Sequence, residues 1–289
     1  MDSFSGKLAV VTGGGSGIGR ELVRQLAAQG CSVATCDINA SGVSETADLA
    51  RAGAASGAKV SGHVCDVSDE AQVLRFRGEV LAEHGGDHVD LVVSNAGIGG
   101  GNSFVNDSRQ QWERTFAIDW WGVYYCARAF LPLLIASGDG VLVNTSSVNG
   151  FWATLGPDMP STAYSAAKFA VKGFTEALIE DLRTNAPQVR VAVVMPGHVG
   201  TDIVANSFRA HADGAPMPEQ WVKANADFRD KAPLSAADAA AIILDGVRTG
   251  SWRILVGEDA RTLDKLVREA PEAAYDYEAL GKGAAGQDG

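Results

Sequence analysis

The chain has 289 residues, an ordinary apolar share and a formal net charge of −11, which suits one sizeable α/β core. That acidic balance argues against nucleic acid or an anionic membrane as partner, since either would ask for a basic face. The four cysteines, Cys31, Cys36, Cys65 and Cys126, have no CxxC spacing and read as buried free thiols of a reducing, cytoplasmic setting.

The N-terminal MDSFSGKLAVVTGGG has no signal-peptide pattern, and no apolar run nears the ~18–20 residues of a membrane span. KLAVVT (7–12) is a predicted strand. GIGRELVRQLAAQG follows with Ile18, Leu22 and Leu26 at helical spacing and Gly30 as a stop. CSVATCD is a second strand, 41–52 a helix, and KVSGHVCD a third strand. Ser68 is expected to cap a helix running to about residue 84. HVDLVVSNAG is a fourth strand. One long helix is expected over 109–136, with Phe116, Trp120, Tyr124 and Ala127 on one face and Pro132 kinking or ending it. GVLVNTSS is a fifth strand, 162–185 a helix and VRVAVVMPG a sixth strand. Ser235 and Asp238 have capping-box spacing before another helix, and WRILVG is a last strand.

Strict alternation of β and α with near-continuous apolar strands predicts a parallel sheet with helices on both faces. Ligands of such sheets bind beyond the carboxyl ends of the strands. Two irregular stretches follow strands and belong at that edge: 148–161, and 200–232 with Phe208, Trp221 and Phe228. The second is expected to form a substrate lid. Residues 1–270 are read as a single domain, and 271–289 as a tail that is partly frayed.

TGGGSGIGR (12–20) lies between the first strand and the first helix, the context in which a glycine-rich string carries weight. Gly13 permits the tight turn, and Gly17 and Gly19 permit close approach of backbone, phosphate and helix. The helix N-terminus offers unpaired N–H groups to a pyrophosphate. Asp37 ends the second strand 20 residues after Gly17, where a carboxylate can accept bonds from both ribose hydroxyls and would repel a 2′-phosphate. No cation stands at Ile38, Asn39 or Ala40, so NAD is expected over NADP. Asp66 could touch adenine or help cap the next helix, and both readings stay open.

TGGGSGIG (12–19), NAG (95–97), SS (146–147), YSAAK (164–168) and PGHVGT (196–201), in that order on successive elements, resemble the short-chain dehydrogenase/reductase family over about residues 5–257. The resemblance implies a single Rossmann-type doubly wound domain with a seven-stranded parallel sheet of order 3-2-1-4-5-6-7. It also implies a homo-oligomer, tetramer or dimer. By position it gives Gly13, Ser16, Gly17, Ile18 and Gly19 to the pyrophosphate turn, Asp37 and Ile38 to the adenosine ribose, and Asp66 and Val67 to adenine. Asn95, Ala96 and Gly97 line the cofactor, and Pro196, Gly197, Val199 and Thr201 hold the nicotinamide end. Ser147 bonds the substrate oxygen, Tyr164 transfers the proton and Lys168 assists, the last two also touching cofactor. Asn149, Trp152 and His198 are expected to face substrate, His198 with the alternative that only backbone shape matters there. Ser146 adjoins Ser147, and the gap to Tyr164 is longer than the family's usual one. Asp119 departs from the family's asparagine; it either shifts the pH response of the proton path or is a tolerated substitution.

Tyr164 and Lys168 share a helix face because i and i+4 neighbours do. A nearby ammonium favours phenolate, which brings the phenol down from about 10 toward a usable base. The expected reaction is NAD-dependent interconversion of a mid-sized, largely apolar secondary alcohol and its ketone. An NAD-using epimerase or dehydratase on the same fold, and a catalytically silent nucleotide-sensing protein, are the alternatives. His84 and His88 are read as solvated loop histidines rather than metal ligands, because Gly85 and Gly86 break the helix between them.

Overall fold

The computed structural model describes residues 1–100, 103–154, 159–212 and 214–276. The elements run β1 (Leu8–Thr12), α1 (Gly17–Ala28), β2 (Ser32–Asp37), α2 (Ala40–Gly53), β3 (Val60–Val64), α3 (Glu70–His84) and β4 (Leu91–Ser94). There follow α4 (Arg109–Phe116), a π-helical turn (Ala117–Trp121), α5 (Gly122–Ser137), β5 (Gly140–Thr145), α6 (Thr162–Asn185) and β6 (Val189–Pro196). The C-terminal part holds β7 (Val199–Gly200), α7 (Ile203–His211), α8 (Glu219–Asp230), β8 (Leu234–Ser235), α9 (Ala236–Thr249), β9 (Arg253–Val256) and α10 (Glu258–Glu269).

Seven strands form one parallel sheet in the order β3-β2-β1-β4-β5-β6-β9, the predicted topology with β9 as the seventh strand. The period-two geometry of strands divides their side chains between two cores. Ala9, Val11, Val93 and Val143 face one way, onto Leu22, Leu26, Ile243 and Leu244 of α1 and α9. Val10, Val92 and Leu142 face the other, onto Phe76 of α3 and Phe130 and Leu134 of α5. Both faces are thus covered, as near-continuous apolar strands require. All four cysteines are buried and free.

Three local expectations change. The N-cap of α3 is Asp69, whose side chain accepts from the Ala71 and Gln72 N–H groups; Ser68 instead bonds Asp66. Pro132 does not end the helix but stays inside α5, which runs on to Ser137. Its neighbours Phe130 and Leu134 are fully buried, and that packing outweighs the one helical hydrogen bond a proline removes. The expected helix over 109–136 is broken into α4, the π turn and α5, a widening that proteins use at functional sites. The irregular stretch after β6 folds as α7 and α8, closed by the short parallel pair Val199↔Leu234 and Gly200↔Ser235. Residues 271–276 carry a 3₁₀ turn, Ala273–Tyr275, while the rest of the expected frayed tail, 277–289, lies outside the described residues. Among the described residues, no helix is long and apolar enough to cross a membrane.

Candidate active site

A cleft of about 780 Å³ opens along the carboxyl edge of the sheet, within the usual size of small-molecule sites. Its floor is the β1–α1 turn packed on the exit of β4. Gly13 has φ +68, and a Cβ there would come within 2.7 Å of the Ala96 Cα. A Cβ on Gly19 would overlap the Gly13 carbonyl, so the helix sits directly on the turn. Thr12 Oγ1 accepts from the Asn95 and Ala96 N–H groups at 3.0 and 3.1 Å, and Asn95 Nδ2 donates back to the Thr12 carbonyl. Ser16, Gly17 and Ile18, at the N-terminus of α1, line the cleft, where helix-end N–H groups suit an anion.

Asp37 lines the same cleft with Ile38, Asp66 and Val67. Its Oδ2 accepts from the Gly15 N–H and its Oδ1 from the Asn39 N–H, both at 2.9 Å, so the carboxylate is fixed at the strand end. The nearby Arg20 guanidinium donates to the Gly15 carbonyl and to Glu45. Asp66 does not cap α3; it accepts from the Ser68 N–H, the Ser68 hydroxyl and Arg114. Burial works to raise its carboxyl, but Ser68 and Arg114 outweigh burial and hold it below the usual range.

At the other end of the cleft stand Ser147, Tyr164 and Lys168. The hydroxyl of Ser146 donates to the Lys168 carbonyl at 2.7 Å and braces β5 against α6. Ser147 accepts from the Asn149 N–H at 3.1 Å, and it lines the cleft together with Tyr164, whose phenol its hydroxyl helps to lower. Lys168 is 3% exposed; its Nζ lies 5.4 Å from the Tyr164 ring centre and donates to the Thr145 carbonyl at 3.3 Å. The same Nζ lies 3.4 Å from Oδ1 of Asp119. Asp119 is fully buried on the π turn; its Oδ1 also accepts from the Ile98 N–H at 3.0 Å, and its Oδ2 has no hydrogen-bond partner among the described residues.

Burial is the largest influence on all three ionisable groups. It raises the Asp119 carboxyl to about 6, against the pull of Lys168 and Ile98. It would lower the Lys168 ammonium, yet Asp119 and Tyr164 more than compensate and the group ends above its ordinary range. For Tyr164 burial raises the phenol, Lys168 lowers it, Asp119 raises it further and Ser147 lowers it; the net direction is up. From the i, i+4 spacing alone the ammonium is expected to win; burial of the phenol and the Asp119 carboxylate reverse that balance.

Asn95, Ala96, Gly97, Pro196, Gly197, Val199 and Thr201 all line the cleft. Among the expected substrate contacts, Asn149 and His198 line it and Trp152 does not. Trp152 turns away to donate its Nε1 to the Ala274 carbonyl at 2.7 Å and packs beside Phe151 and Val148. Asn149 Nδ2 ties its own loop by donating to the Trp152 and Thr154 carbonyls. His198 Nε2 lies 2.7 Å from the Phe228 carbonyl, so it carries its proton there. Phe208 packs on Trp221, and of the lid aromatics it is Phe228 that reaches the cleft.

One wall of the cleft, given by α7, carries no motif in the sequence. Ile203, Asn206 and Ala210 line the cleft, Asn206 Nδ2 donates to Ser16 Oγ at 3.1 Å, and Ser207 Oγ accepts from the Gly99 N–H at 2.7 Å. Their i, i+3, i+4, i+7 spacing was the available signal. Arg114 and Arg209 also line the cleft and had no motif around them. His84 is not a solvated loop residue: it ends α3 with its Nε2 2.9 Å from Ser61 Oγ. No group of three or more His, Cys, Asp or Glu among the described residues is placed to hold a metal ion.

These residues fit a dinucleotide: a glycine cradle that any side chain would fill, a fixed strand-end carboxylate, and a distal Ser–Tyr–Lys group in one continuous cleft. The family model described as short chain dehydrogenase matches residues 7–212. A Mycobacterium tuberculosis protein carrying the name oxidoreductase SadH is 39% identical over 268 residues, covering 93% of this chain and 92% of that protein. A short-chain dehydrogenase/reductase from Burkholderia phymatum, solved in complex with NAD, superposes with a TM-score of 0.81 at 30% identity over 94% of this chain and 96% of that one. A metagenomic short-chain oxidoreductase solved with NADP gives a TM-score of 0.65 at 28% identity, over 88% of this chain and 97% of that one.

Proposed function

The chain belongs to the short-chain dehydrogenase/reductase family, and on that premise we propose that this oxidoreductase interconverts a secondary alcohol and its ketone with NAD. The observation that carries the reading is the convergence of Ser147, Tyr164 and Lys168 at one end of a cleft whose other end holds Asp37. NAD, when bound, supplies the hydride acceptor or donor. Gly13, Ser16, Gly17, Ile18 and Gly19 hold its pyrophosphate, Asp37 and Ile38 its adenosine ribose, and Asp66 and Val67 its adenine. Asn95, Ala96 and Gly97 flank it, and Pro196, Gly197, Val199 and Thr201 hold the nicotinamide end. Ser147 donates its hydroxyl to the substrate oxygen and stabilises the charge that develops there. Tyr164 Oη gives that oxygen a proton in reduction and takes one in oxidation, while the Lys168 charge works to lower the phenol against its burial.

NAD is favoured over NADP because the Asp37 carboxylate would face a 2′-phosphate, and because Arg20 is engaged by Glu45. The substrate is mid-sized and largely apolar, held between Asn149, His198, Phe228 and the lid residues of α7 and α8. The reading includes self-association through the long helices α5 and α6, where Trp121 of the π turn leading into α5 and Phe169 of α6 remain exposed, and a cytoplasmic setting. A panel of secondary alcohols and ketones, assayed with NAD and NADP side by side and repeated with Tyr164→Phe, tests it. Turnover with NAD that disappears in the variant is expected. Equal activity of the two proteins removes Tyr164 from the mechanism, and a clear NADP preference removes the role given to Asp37.

A further inference from the structure

The Lys168 ammonium serves two neighbours at once. It lies 3.4 Å from a carboxylate oxygen of Asp119 and 5.4 Å from the ring centre of Tyr164. Asp119 is fixed: fully buried, on a π turn, with Oδ1 held by the Ile98 N–H. The charged groups that bear on Tyr164 are few. Its own helix α6 supplies Lys168, and the π turn supplies Asp119. The end of β5 offers the neutral Ser147 and the Thr145 carbonyl, and the exit of β4 offers the backbone of Ile98. On α4, Arg114 is turned to Asp66 and Ser68. Beyond β6, His198 bonds the Phe228 carbonyl, with Asp259 of α10 held on the His198 N–H.

A lone ammonium beside a phenol favours phenolate strongly. An ammonium already paired with a fixed carboxylate presents the field of a dipole, which falls off faster with distance. We propose that Asp119 cancels much of the Lys168 charge felt by Tyr164, so that Tyr164 keeps its proton through the neutral range and the site works there as a proton donor to a carbonyl oxygen, with alcohol oxidation confined to alkaline pH. The inference rests on the acid/base role given to Tyr164 above and adds a preferred direction to it. Asp119 acts through Lys168 and is a positioning residue. In reduction the proton passes from Tyr164 Oη to the substrate oxygen as that oxygen gains the carbonyl electron pair, the hydride coming from the reduced nicotinamide of the same reading. The family's asparagine would keep an oxygen for the Ile98 N–H and carry no charge, so the aspartate changes electrostatics without changing this contact. The net upward direction for Tyr164 agrees, burial being its largest cause and Asp119 adding to it. With its carboxyl raised to about 6, Asp119 is ionised at neutral pH, where the cancellation is needed.

The test is a pH titration of Tyr164 in the cofactor-free protein, read by NMR of ζ-carbon-labelled tyrosine, with the Tyr164 signal assigned by Tyr164→Phe. Asp119→Asn is expected to bring the ionisation of Tyr164 down by about one unit, roughly tenfold more phenolate at a fixed pH. The kcat/KM profile for alcohol oxidation should move the same way, and wild type should keep its reductase activity to higher pH than the variant. Asp119→Ser, which also removes the charge and keeps an acceptor oxygen, gives the same comparison if the asparagine variant folds poorly. Superimposable titrations, or a displacement upward, overturn the proposal. Full turnover by Tyr164→Phe would instead overturn the acid/base reading, and the titration separates the two failures.

Discussion

The hydroxyl of Ser146 donates to the main-chain carbonyl of Lys168 at 2.7 Å, so the end of β5 is tied to the turn of α6 that carries the candidate proton-transfer pair. The two adjacent serines therefore have different work. Ser146 supports the scaffold, whereas Ser147 lines the cleft with Tyr164. Ser147→Ala is expected to lower kcat by about 10²–10³-fold, as loss of one donor to a developing oxyanion does, with little change in thermal stability. Ser146→Ala is expected to remove this second bond to a carbonyl that keeps its helical donor and to cost about 0.5–1.5 kcal/mol of stability. Steady-state kinetics and denaturant unfolding on the pair check this; equal effects on both measures would refute the division.

Lys168 and Asp119 are both buried, and removing one charge strands the other. Lys168→Met is expected to destabilise the protein by about 3–5 kcal/mol, and adding Asp119→Asn to recover a large part of the loss. A double-mutant cycle on unfolding free energy reads the coupling directly. Additive effects would mean that the 3.4 Å approach carries no energetic coupling.

Asp37 holds the Gly15 and Asn39 N–H groups and keeps its carboxylate in the cleft. Asp37→Ala is expected to weaken NAD binding by about tenfold to a hundredfold, the range for hydrogen bonds to a charged group. Calorimetric titration of the cofactor measures it, and an unchanged Kd would remove Asp37 from the ribose site.

His84, bonded to Ser61 through Nε2, is held below the ordinary histidine range, chiefly by burial. The unfolded chain therefore binds more protons than the folded one between the depressed pKa and about 6.5. Stability from this group is present above about pH 6.5, is lost as pH falls, and levels off below the folded value. Unfolding free energies from pH 8 to about pH 5 should decline less steeply in His84→Gln than in wild type; parallel curves would exclude the contribution.

Much of the fold and of the cleft was legible in the residues. The turn 12–20 and the alternation of apolar strands with amphipathic helices specify a parallel sheet, because local hydrogen bonding and burial periodicity have only that economical solution. Asp37 is placed by chain connectivity, at the end of a strand adjoining that turn. Tyr164 and Lys168 are placed by helical spacing alone. Trp152 does not face the cleft because its orientation is set by the Ala274 carbonyl, 122 residues away. The cleft-facing side of α7 was missed because it is defined by contacts to Ser16 and Gly99, which are remote in sequence.

By itself, then, the order of residues determined the architecture, the cradle for a dinucleotide and the i, i+4 pairing of phenol with ammonium, since each follows from local geometry repeated along the chain. Only the tertiary structure decided the ionisation of that pair. Burial of the phenol and the approach of Asp119 to Lys168 depend on how the π turn packs against α6, and electrostatic energies follow distance and desolvation rather than residue identity.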